Sequence, residues 1–372
     1  MLPHDTTLRI RRDRTPVWRG TLLRMRAVIL QQQAKPDNVS SVVKAIEDWP
    51  EPPPPGPGDV QIRTLTSALN HMDLWVAMGI PGVDLTYPRV TGCDACGVVS
   101  AVGPNVDEGW IGKRVVFNAA TPQPDRRLPD DPTGATLAPN YELIGEHSDG
   151  AHRERFNAPV ANVQDVGDAD PIDAAAFGLV SLTAYGMMRK AGVRPGHSIL
   201  ITGIGGGVST AALALCKWMG CRVCVTSRHQ WKVDRAIELG ADHGVLDSGQ
   251  EWSRDIRQWT SKRGVDVCFD SVGKAVIPNC VASLARGGAI VTCGATSGPI
   301  AETHLGRVFW SQLRLLGSTM GSNDEFAEVV SLFRAGHLRP VVDSVKPWNE
   351  AQDAWSHLEN AEQLGKIVLK WD

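Results

Sequence analysis

The stretch that decides the fold is ILITGIGGGVSTAALALCKWMGCRVCVTS, residues 199–227. An apolar run of strand length enters a glycine turn, an apolar helical segment follows, and a second apolar run closes the unit. Glycines let the backbone approach a pyrophosphate, and the helix N-terminus supplies unpaired N–H donors. This order predicts a dinucleotide site, with a ligand-free turn as the alternative. The residues predicted to hold the phosphates are Gly203, Gly205, Gly206, Gly207 and Val208, the last replacing the third glycine of G-x-G-x-x-G.

The end of the second strand predicts which dinucleotide binds. A carboxylate at this position would accept a hydrogen bond from the ribose 2′-hydroxyl of NAD. Here the strand ends in Thr226-Ser227-Arg228, and Lys232 follows within about one helical turn. Two cations and no acid at this position suit a 2′-phosphate better than a 2′-hydroxyl. Ser227, Arg228 and Lys232 therefore predict NADPH as the cofactor. Two observations weigh against this: Asp247 is a nearby acid, and both cations could be solvated charges at a helix start.

Strands and helices alternate from about Asp168 onward, which predicts a doubly wound parallel sheet. We assign residues 166–324 to this Rossmann domain. Ligands of such sheets bind beyond the carboxyl ends of the strands. The further cofactor contacts predicted at strand ends are Ser271, Gly273, Gly294, Ala295 and Thr296.

The flanking segments predict a second, β-rich domain. Short strand patterns and turns run from Met25 to about Asn157, and extended pieces return near the C-terminus. We assign residues 25–165 and 325–372 to this domain, with the Rossmann domain inserted between them. Residues 1–24 carry six arginines and are expected to be a disordered extension, with an organellar presequence as the alternative.

Composition narrows the possible partners. Hydrophobic residues make up 42% of the 372 residues, charged residues make up 21%, and the net charge is −3. A nucleic-acid partner would call for a basic excess, and a membrane span would need about 20 apolar residues in a row. We therefore expect a small-molecule substrate, with neither nucleic acid nor membrane as partner. The eight cysteines lie mostly within apolar patterns, as expected of reduced thiols in a cytoplasmic protein.

Several ordered motifs together resemble the medium-chain dehydrogenase/reductase superfamily, in particular its zinc-independent quinone oxidoreductase and enoyl reductase branch. The resemblance covers Met25 to the C-terminus. It implies a GroES-like catalytic domain, a Rossmann cofactor domain, a cleft between them and a homodimer. The motifs that carry it are ALNHMDLW, GCDACGVVSAVG, AAAFGLVSLTAYG, GIGGGV, DSVGK, GATSGP, LLGSTMGS and GKIVLK.

The same resemblance indicates that zinc is not used. Zinc alcohol dehydrogenases of this superfamily hold the metal through a cysteine before x-x-Asp, a Gly-His-Glu and a later cysteine. The matching positions here are Asn70, Gly92-Cys93-Asp94 and Phe177. Catalytic zinc needs about three protein ligands, and an asparagine is a poor ligand while a phenylalanine is none. We therefore expect no metal.

The resemblance also supplies candidate site residues. Asn70 corresponds to an asparagine near the cofactor, and Trp75 replaces a tyrosine of bacterial quinone oxidoreductases. His71 is either a proton donor or a structural histidine at a strand end. The candidates are Asn70, His71 and Trp75 for catalysis, Cys93, Thr183 and Trp310 for the substrate pocket, and Gly365 and Lys366 for a closing cofactor contact.

These features predict an NADPH-dependent oxidoreductase that transfers hydride to a quinone or an α,β-unsaturated carbonyl. Such acceptors delocalise the arriving charge themselves, so orientation and one or two hydrogen-bond donors suffice. Three alternatives stay open. They are a dedicated enoyl reductase of a biosynthetic pathway, a non-catalytic NADPH-binding protein and an alcohol dehydrogenase.

Overall fold

The computed structural model describes residues 24–121, 136, 141–249 and 251–371. The predicted extension therefore lies outside the described residues, apart from Arg24. The helices are α1 His71–Met78, α2 Pro171–Ala191, α3 Gly207–Trp218, α4 Gln230–Glu238, α5 Ser253–Trp259, α6 Ile277–Ser283, α7 Leu305–Trp310, α8 Asn323–Arg334 and α9 Ala351–Glu359. The strands are β1 Arg24–Leu30, β2 Val43–Pro50, β3 Asp59–Ala68, β4 Arg89–Val90, β5 Ala95–Val102, β6 Arg114–Phe117, β7 Ala120–Thr121, β8 Glu142–Leu143, β9 Arg155–Pro159, β10 Val163–Asp165, β11 Ser198–Ile201, β12 Arg222–Ser227, β13 His243–Leu246, β14 Val265–Asp270, β15 Leu284–Thr292, β16 Arg314–Gly317, β17 Val342–Pro347 and β18 Lys366–Lys370.

The predicted doubly wound sheet is confirmed. Six parallel strands lie in the order β13-β12-β11-β14-β15-β16. The strand order reverses beside β11, which places a crevice at its carboxyl end. All four residues of β11 are buried, as a strand covered by helices on both faces requires. The glycine turn follows this strand directly, so the phosphate loop opens into the crevice.

A mostly antiparallel sheet forms the β-rich lobe. Its main path is β10-β6-β5-β3-β18-β17, with β9 also paired to β3, and a smaller sheet has the order β2-β1-β4. β18 pairs antiparallel with β3, so the last strand lies beside an early one. This pairing brings Lys366, the first residue of β18, toward residues that precede α1.

Helix α2 connects the two lobes. It begins at Pro171 after Asp170, whose side chain accepts from the Ile172 and Asp173 amides, and it ends at Gly192 in the left-handed conformation. The helix contacts β3 and β5 on one side and α3 on the other. Most of its residues are buried, so it fixes how the two sheets face each other.

Helix α1 differs from one of the two sequence interpretations of His71, that of a structural histidine at a strand end. Asn70 is extended and caps the helix, and its backbone N–H donates to Asp73 Oδ2 at 2.7 Å. His71 is the first helical residue. Eight residues give too few turns for a helical period to show in the sequence. None of the helices in the described part of the chain is long and apolar enough to cross a membrane.

Candidate functional site

The glycine loop has the backbone geometry that a phosphate site needs. Gly203 has φ of 60° and Gly205 has φ of 132°, a region that favours glycine. Gly206 is the extended cap of α3 and makes no side-chain cap hydrogen bond. The amides of the first turn, which includes Gly207 and Val208, are therefore placed to receive an anion.

Two lysines lie against this loop. A Cβ added at Gly205 would lie 2.8 Å from Lys232 Cδ, and one added at Gly207 would lie 2.8 Å from Lys366 Cδ. The Gly365 N–H also donates to Gly205 O at 2.8 Å. The structure therefore brings the predicted closing contact, Gly365-Lys366, to the predicted phosphate loop.

The predicted 2′-phosphate residues cluster at the end of β12. Ser227 is its last residue, and its carbonyl accepts from the Asp247 N–H at 2.7 Å. Arg228 is exposed directly after the strand. Lys232 is buried and donates to Ala361 O at 2.6 Å. An ammonium has three N–H donors, so this contact leaves capacity for a phosphate oxygen.

The two later strand ends also meet each other. Thr296 Oγ1 donates to Ser271 O at 3.3 Å. A Cβ added at Gly273 would lie 2.9 Å from Ala295 Cα, and one added at Gly294 would lie 2.7 Å from Ser271 O. These predicted cofactor residues therefore form one continuous rim beyond β14 and β15.

Asp270 was missed by the sequence reasoning, although it lies within the quoted DSVGK motif. It is fully buried and accepts from Thr202 Oγ1 and Thr292 Oγ1, each at 2.9 Å, and from the Gly273 N–H at 3.2 Å. It therefore joins the ends of β11, β14 and β15. Its role is to hold the cofactor-facing strand ends in register.

The candidate catalytic centre is a buried group of three side chains, the Asn70–Asp94–Lys366 cluster. Lys366 Nζ donates to Asn70 Oδ1 at 2.6 Å and to Asp94 Oδ2 at 3.0 Å. Asn70 Nδ2 donates to Asp94 Oδ2 at 2.9 Å, and the Leu179 N–H donates to Asp94 Oδ1 at 2.7 Å. The side chains of Lys366 and Asp94 are 3% and 2% exposed. Asp94 accepts three hydrogen bonds and Lys366 donates two, and these offset part of the cost of burying the two charges.

His71 and Trp75 lie beside this cluster on α1. Both are partly exposed, and their ring centroids are 6.2 Å apart in an edge-on arrangement. Burial lowers the pKa of His71 below its ordinary value; Asp73 opposes this shift and Lys366 adds to it. A lower pKa favours the uncharged imidazole, so a smaller fraction of His71 carries a proton to donate at neutral pH than at its ordinary pKa.

The structure brings one of the three predicted pocket residues to the cluster. Thr183 is buried and donates to the carbonyl of Leu179, the residue whose N–H binds Asp94. Cys93 is fully buried within the core, so it does not line an open cleft as predicted. Burial raises the pKa of its thiol well above the usual range, and the Asp73 and Asp94 carboxylates add to this.

The prediction for Trp310 is also not supported. Trp310 ends α7 next to the outer strand of the six-stranded sheet, and it is 71% exposed. Trp310 belongs to α7, whereas the cluster is built from the cap of α1, the residue before β5 and the first residue of β18. A single tryptophan in a sequence carries no information on which surface it faces.

A second buried network supports Asn70 and was not predicted. His152 Nε2 lies 3.4 Å from Asp73 Oδ1, His152 Nδ1 is 2.8 Å from Ser67 Oγ, and Trp371 Nε1 donates to Ser67 Oγ at 2.9 Å. Asp73 in turn accepts from the Asn70 N–H. No sequence spacing joins positions 73 and 152, because they meet only through the fold.

The residues at the zinc-ligand positions do not fit a catalytic zinc. Asn70 Nδ2 donates to Asp94, and Asn70 Oδ1 accepts from the Lys366 ammonium. The amide oxygen that could bind a metal therefore already binds a cation. Phe177 stacks on Phe333 with centroids 4.1 Å apart. Within the described residues, no group of three or more His, Cys, Asp or Glu side chains could hold a metal ion.

The cofactor loop, the parallel sheet and the β-rich lobe together define a dehydrogenase or reductase that uses a nicotinamide dinucleotide. Residues 56–168 match the alcohol dehydrogenase GroES-like domain, and residues 207–335 match the zinc-binding dehydrogenase family. The chain belongs to the medium-chain dehydrogenase/reductase superfamily, a family of oxidoreductases. The predicted family and fold class are thereby confirmed.

Similar proteins carry several names. A crystal structure of an NAD-dependent alcohol dehydrogenase has a TM-score of 0.86 and 35% identity, covering 94% of this chain and 100% of that one. A zinc-type alcohol dehydrogenase-like protein of Leptosphaeria maculans is 28% identical, over 86% of this chain and 92% of its own length. A synaptic vesicle membrane protein VAT-1 homolog of Rattus norvegicus is 28% identical, over 86% of this chain and 78% of its own length.

Proposed function

We propose that this protein is an NADPH-dependent reductase that transfers hydride to a quinone or an α,β-unsaturated carbonyl without zinc. The observation that carries the proposal is the Asn70–Asp94–Lys366 cluster. Asn70 and Asp94 stand at or next to positions where the family resemblance would call for zinc ligands, and the Lys366 ammonium donates to both of them. Oxidation of a simple alcohol depends on strong polarisation of its oxygen, which a zinc ion supplies.

Reduction of a conjugated acceptor makes smaller demands on the protein. When bound, the reduced nicotinamide supplies the hydride. The chain's own task is to orient the acceptor and to meet the charge that develops on its oxygen. Asn70 and Lys366 lie at the end of the glycine loop and belong to the β-rich lobe, which suits a site between the two lobes.

The choice of NADPH rests on the end of β12. Arg228 is exposed there, and Lys232 lies against Gly205 of the phosphate loop. Both are cations next to the position that faces the ribose 2′-oxygen in this fold. At least two similar proteins are named as NAD-dependent, so the two cofactors need a direct comparison.

The test is a matrix of cofactors and substrates with purified protein. NADPH and NADH are each combined with a simple quinone, a conjugated enone and an enoyl thioester, and NADP⁺ is combined with a primary alcohol. We expect oxidation of NADPH with the quinone or the enone. Turnover of the alcohol alone would contradict the proposal. Turnover of the thioester alone would favour a dedicated enoyl reductase, and tight NADPH binding without any turnover would favour a non-catalytic role.

A further inference from the structure

The Lys366 side chain connects the cofactor loop to the candidate catalytic centre. Its Cδ lies 2.8 Å from the position that a Cβ at Gly207 would occupy. Its Nζ ends on Asn70 Oδ1 and Asp94 Oδ2. A residue that only held a cofactor phosphate would need its ammonium at the loop, whereas here the ammonium lies beyond the loop, at Asn70.

The ammonium is held in this direction by a fixed acceptor. The Leu179 N–H on α2 binds the far oxygen of Asp94, and the Asn70 amide binds the near one. Asp94 therefore cannot rotate without losing two hydrogen bonds. Two of the three ammonium donors are used by Asn70 and Asp94, which leaves one for another acceptor.

Lys366 also supplies the positive charge of the Asn70–Asp94–Lys366 cluster. Burial lowers the pKa of His71, its titratable neighbour on α1, which favours the uncharged imidazole. The nearby carboxylates, Asp73 and Asp94, already accept hydrogen bonds from Asn70. A substrate oxygen that approaches Asn70 would therefore meet Lys366 as the nearby positive charge.

We propose that Lys366 is a catalytic residue whose ammonium stabilises the negative charge on the substrate oxygen during hydride transfer. This deepens the proposed function and rests on it. The hydride and its electron pair go to the β-carbon of the enone, the C=C π electrons move to form an enolate, and the oxygen becomes negative. NADPH becomes NADP⁺, and a solvent proton on the α-carbon completes the saturated carbonyl. In this scheme Asn70 and Asp94 are positioning residues for Lys366.

The role predicts an unequal sensitivity to the acceptor. A quinone delocalises the arriving charge over two oxygens, so it depends less on a nearby cation than a simple enone does. Removal of one preorganised donor typically costs about 100- to 1,000-fold in kcat. A residue that served only to bind the cofactor would affect both acceptors equally and would act through NADPH affinity.

The experiment compares kcat for an enone and a quinone, together with the Kd of NADPH, in the parent protein and in variants. Lys366→Met leaves Asp94 buried without its counter-ion, so the double variant Asp94→Asn/Lys366→Met removes both charges together. Lys366→Arg keeps the charge. Lys370→Met changes an exposed lysine of the same strand and serves as the control.

In Lys366→Met and in the double variant, we expect kcat with the enone to fall about 100-fold and kcat with the quinone to fall about 10-fold. The Kd of NADPH should change less than about fivefold, and Lys366→Arg should recover part of the enone rate. Equal losses with both acceptors, or an unchanged kcat with a raised Kd, would overturn the catalytic role. A parent protein that reduces neither acceptor would contradict the proposed function itself.

Discussion

At the scale of single residues, the proposed preference for NADPH rests on two cations. Arg228 and Lys232 follow the second strand of the parallel sheet, where a carboxylate would select NADH. The Lys232 ammonium donates one hydrogen bond to Ala361 O, and the methylene chain of Lys232 lies against Gly205. A charge-assisted hydrogen bond to a phosphate typically contributes about 1.5 to 3 kcal/mol.

Replacing Lys232 with alanine should therefore separate the two cofactors. We expect the Kd of NADPH to rise about 10- to 100-fold, because the 2′-phosphate loses a cation. The Kd of NADH should change by less than about threefold, since NADH has no 2′-phosphate. Titration of both cofactors into each protein measures this, with Lys262→Ala, at an exposed lysine, as the control. Equal losses for both cofactors would contradict the 2′-phosphate assignment.

Contacts between residues that lie far apart in the chain could not be predicted from the sequence. The glycine loop and the cations after β12 were predictable because their residues are neighbours in the chain. The pairing of Asp94 with Lys366 was not, because the two lie 272 positions apart and meet through the β3–β18 pairing. Burial of Cys93 and exposure of Trp310 likewise depend on the assembled lobes, which no local pattern encodes.

At the scale of elements, the unit β11–loop–α3 presents the phosphate site. The strand fixes where the chain leaves the sheet, the glycines turn it, and the helix aims its first amides at the crevice. Gly205 combines a φ of 132° with the close approach of Lys232. A side chain at this position has both an unfavourable backbone and no room.

Replacing Gly205 with alanine should weaken both dinucleotides alike. We expect the free loop to relax away from this backbone conformation, and restoring it on binding costs of order 1–3 kcal/mol, which corresponds to roughly a 5- to 150-fold rise in the Kd. This differs from Lys232→Ala, which should affect NADPH alone. Gly317→Ala is the control, because its backbone is ordinary and no atom lies within 4 Å of the added Cβ. Unchanged affinity in Gly205→Ala would show that this loop does not hold the cofactor.

The expected elements were recovered where their patterns were long. Helix α2 begins within the segment where the sequence predicted alternating strands and helices, and the parallel strands follow that alternation. Helix α1 was missed because its eight residues follow directly after a strand and present no clear period. The cluster depends on that missed helix, since Asn70 is its cap.

At the scale of the whole molecule, one edge of the parallel sheet presents apolar side chains to solvent. β16 is the outer strand, so one side of it is unpaired within the described sheet. Leu305, Phe309 and Trp310 on α7 are 69%, 72% and 71% exposed, and Leu315 on β16 is 50% exposed. An open strand edge next to exposed aromatics is costly for a monomer in water. We propose that a second copy of the chain covers this edge.

Adding charge to this edge should therefore separate the subunits. We expect the parent protein to be a dimer at micromolar concentration and Phe309→Glu/Trp310→Glu to be a monomer, because burying two carboxylates opposes association. Sedimentation analysis measures the mass of each species. Ile111→Glu introduces a charge at an exposed position of the β-rich lobe and should leave the dimer intact. A monomeric parent would contradict the proposal.

In the proposed reaction, hydride transfer takes place without a metal. The most direct measurement is the rate of NADPH oxidation with a conjugated enone, using protein dialysed against a strong zinc chelator and the same protein with zinc restored. The proposal predicts equal rates in both samples, because it assigns the stabilisation of the substrate oxygen to Lys366 and not to a metal. A rate that disappears with the chelator and returns with zinc would contradict it.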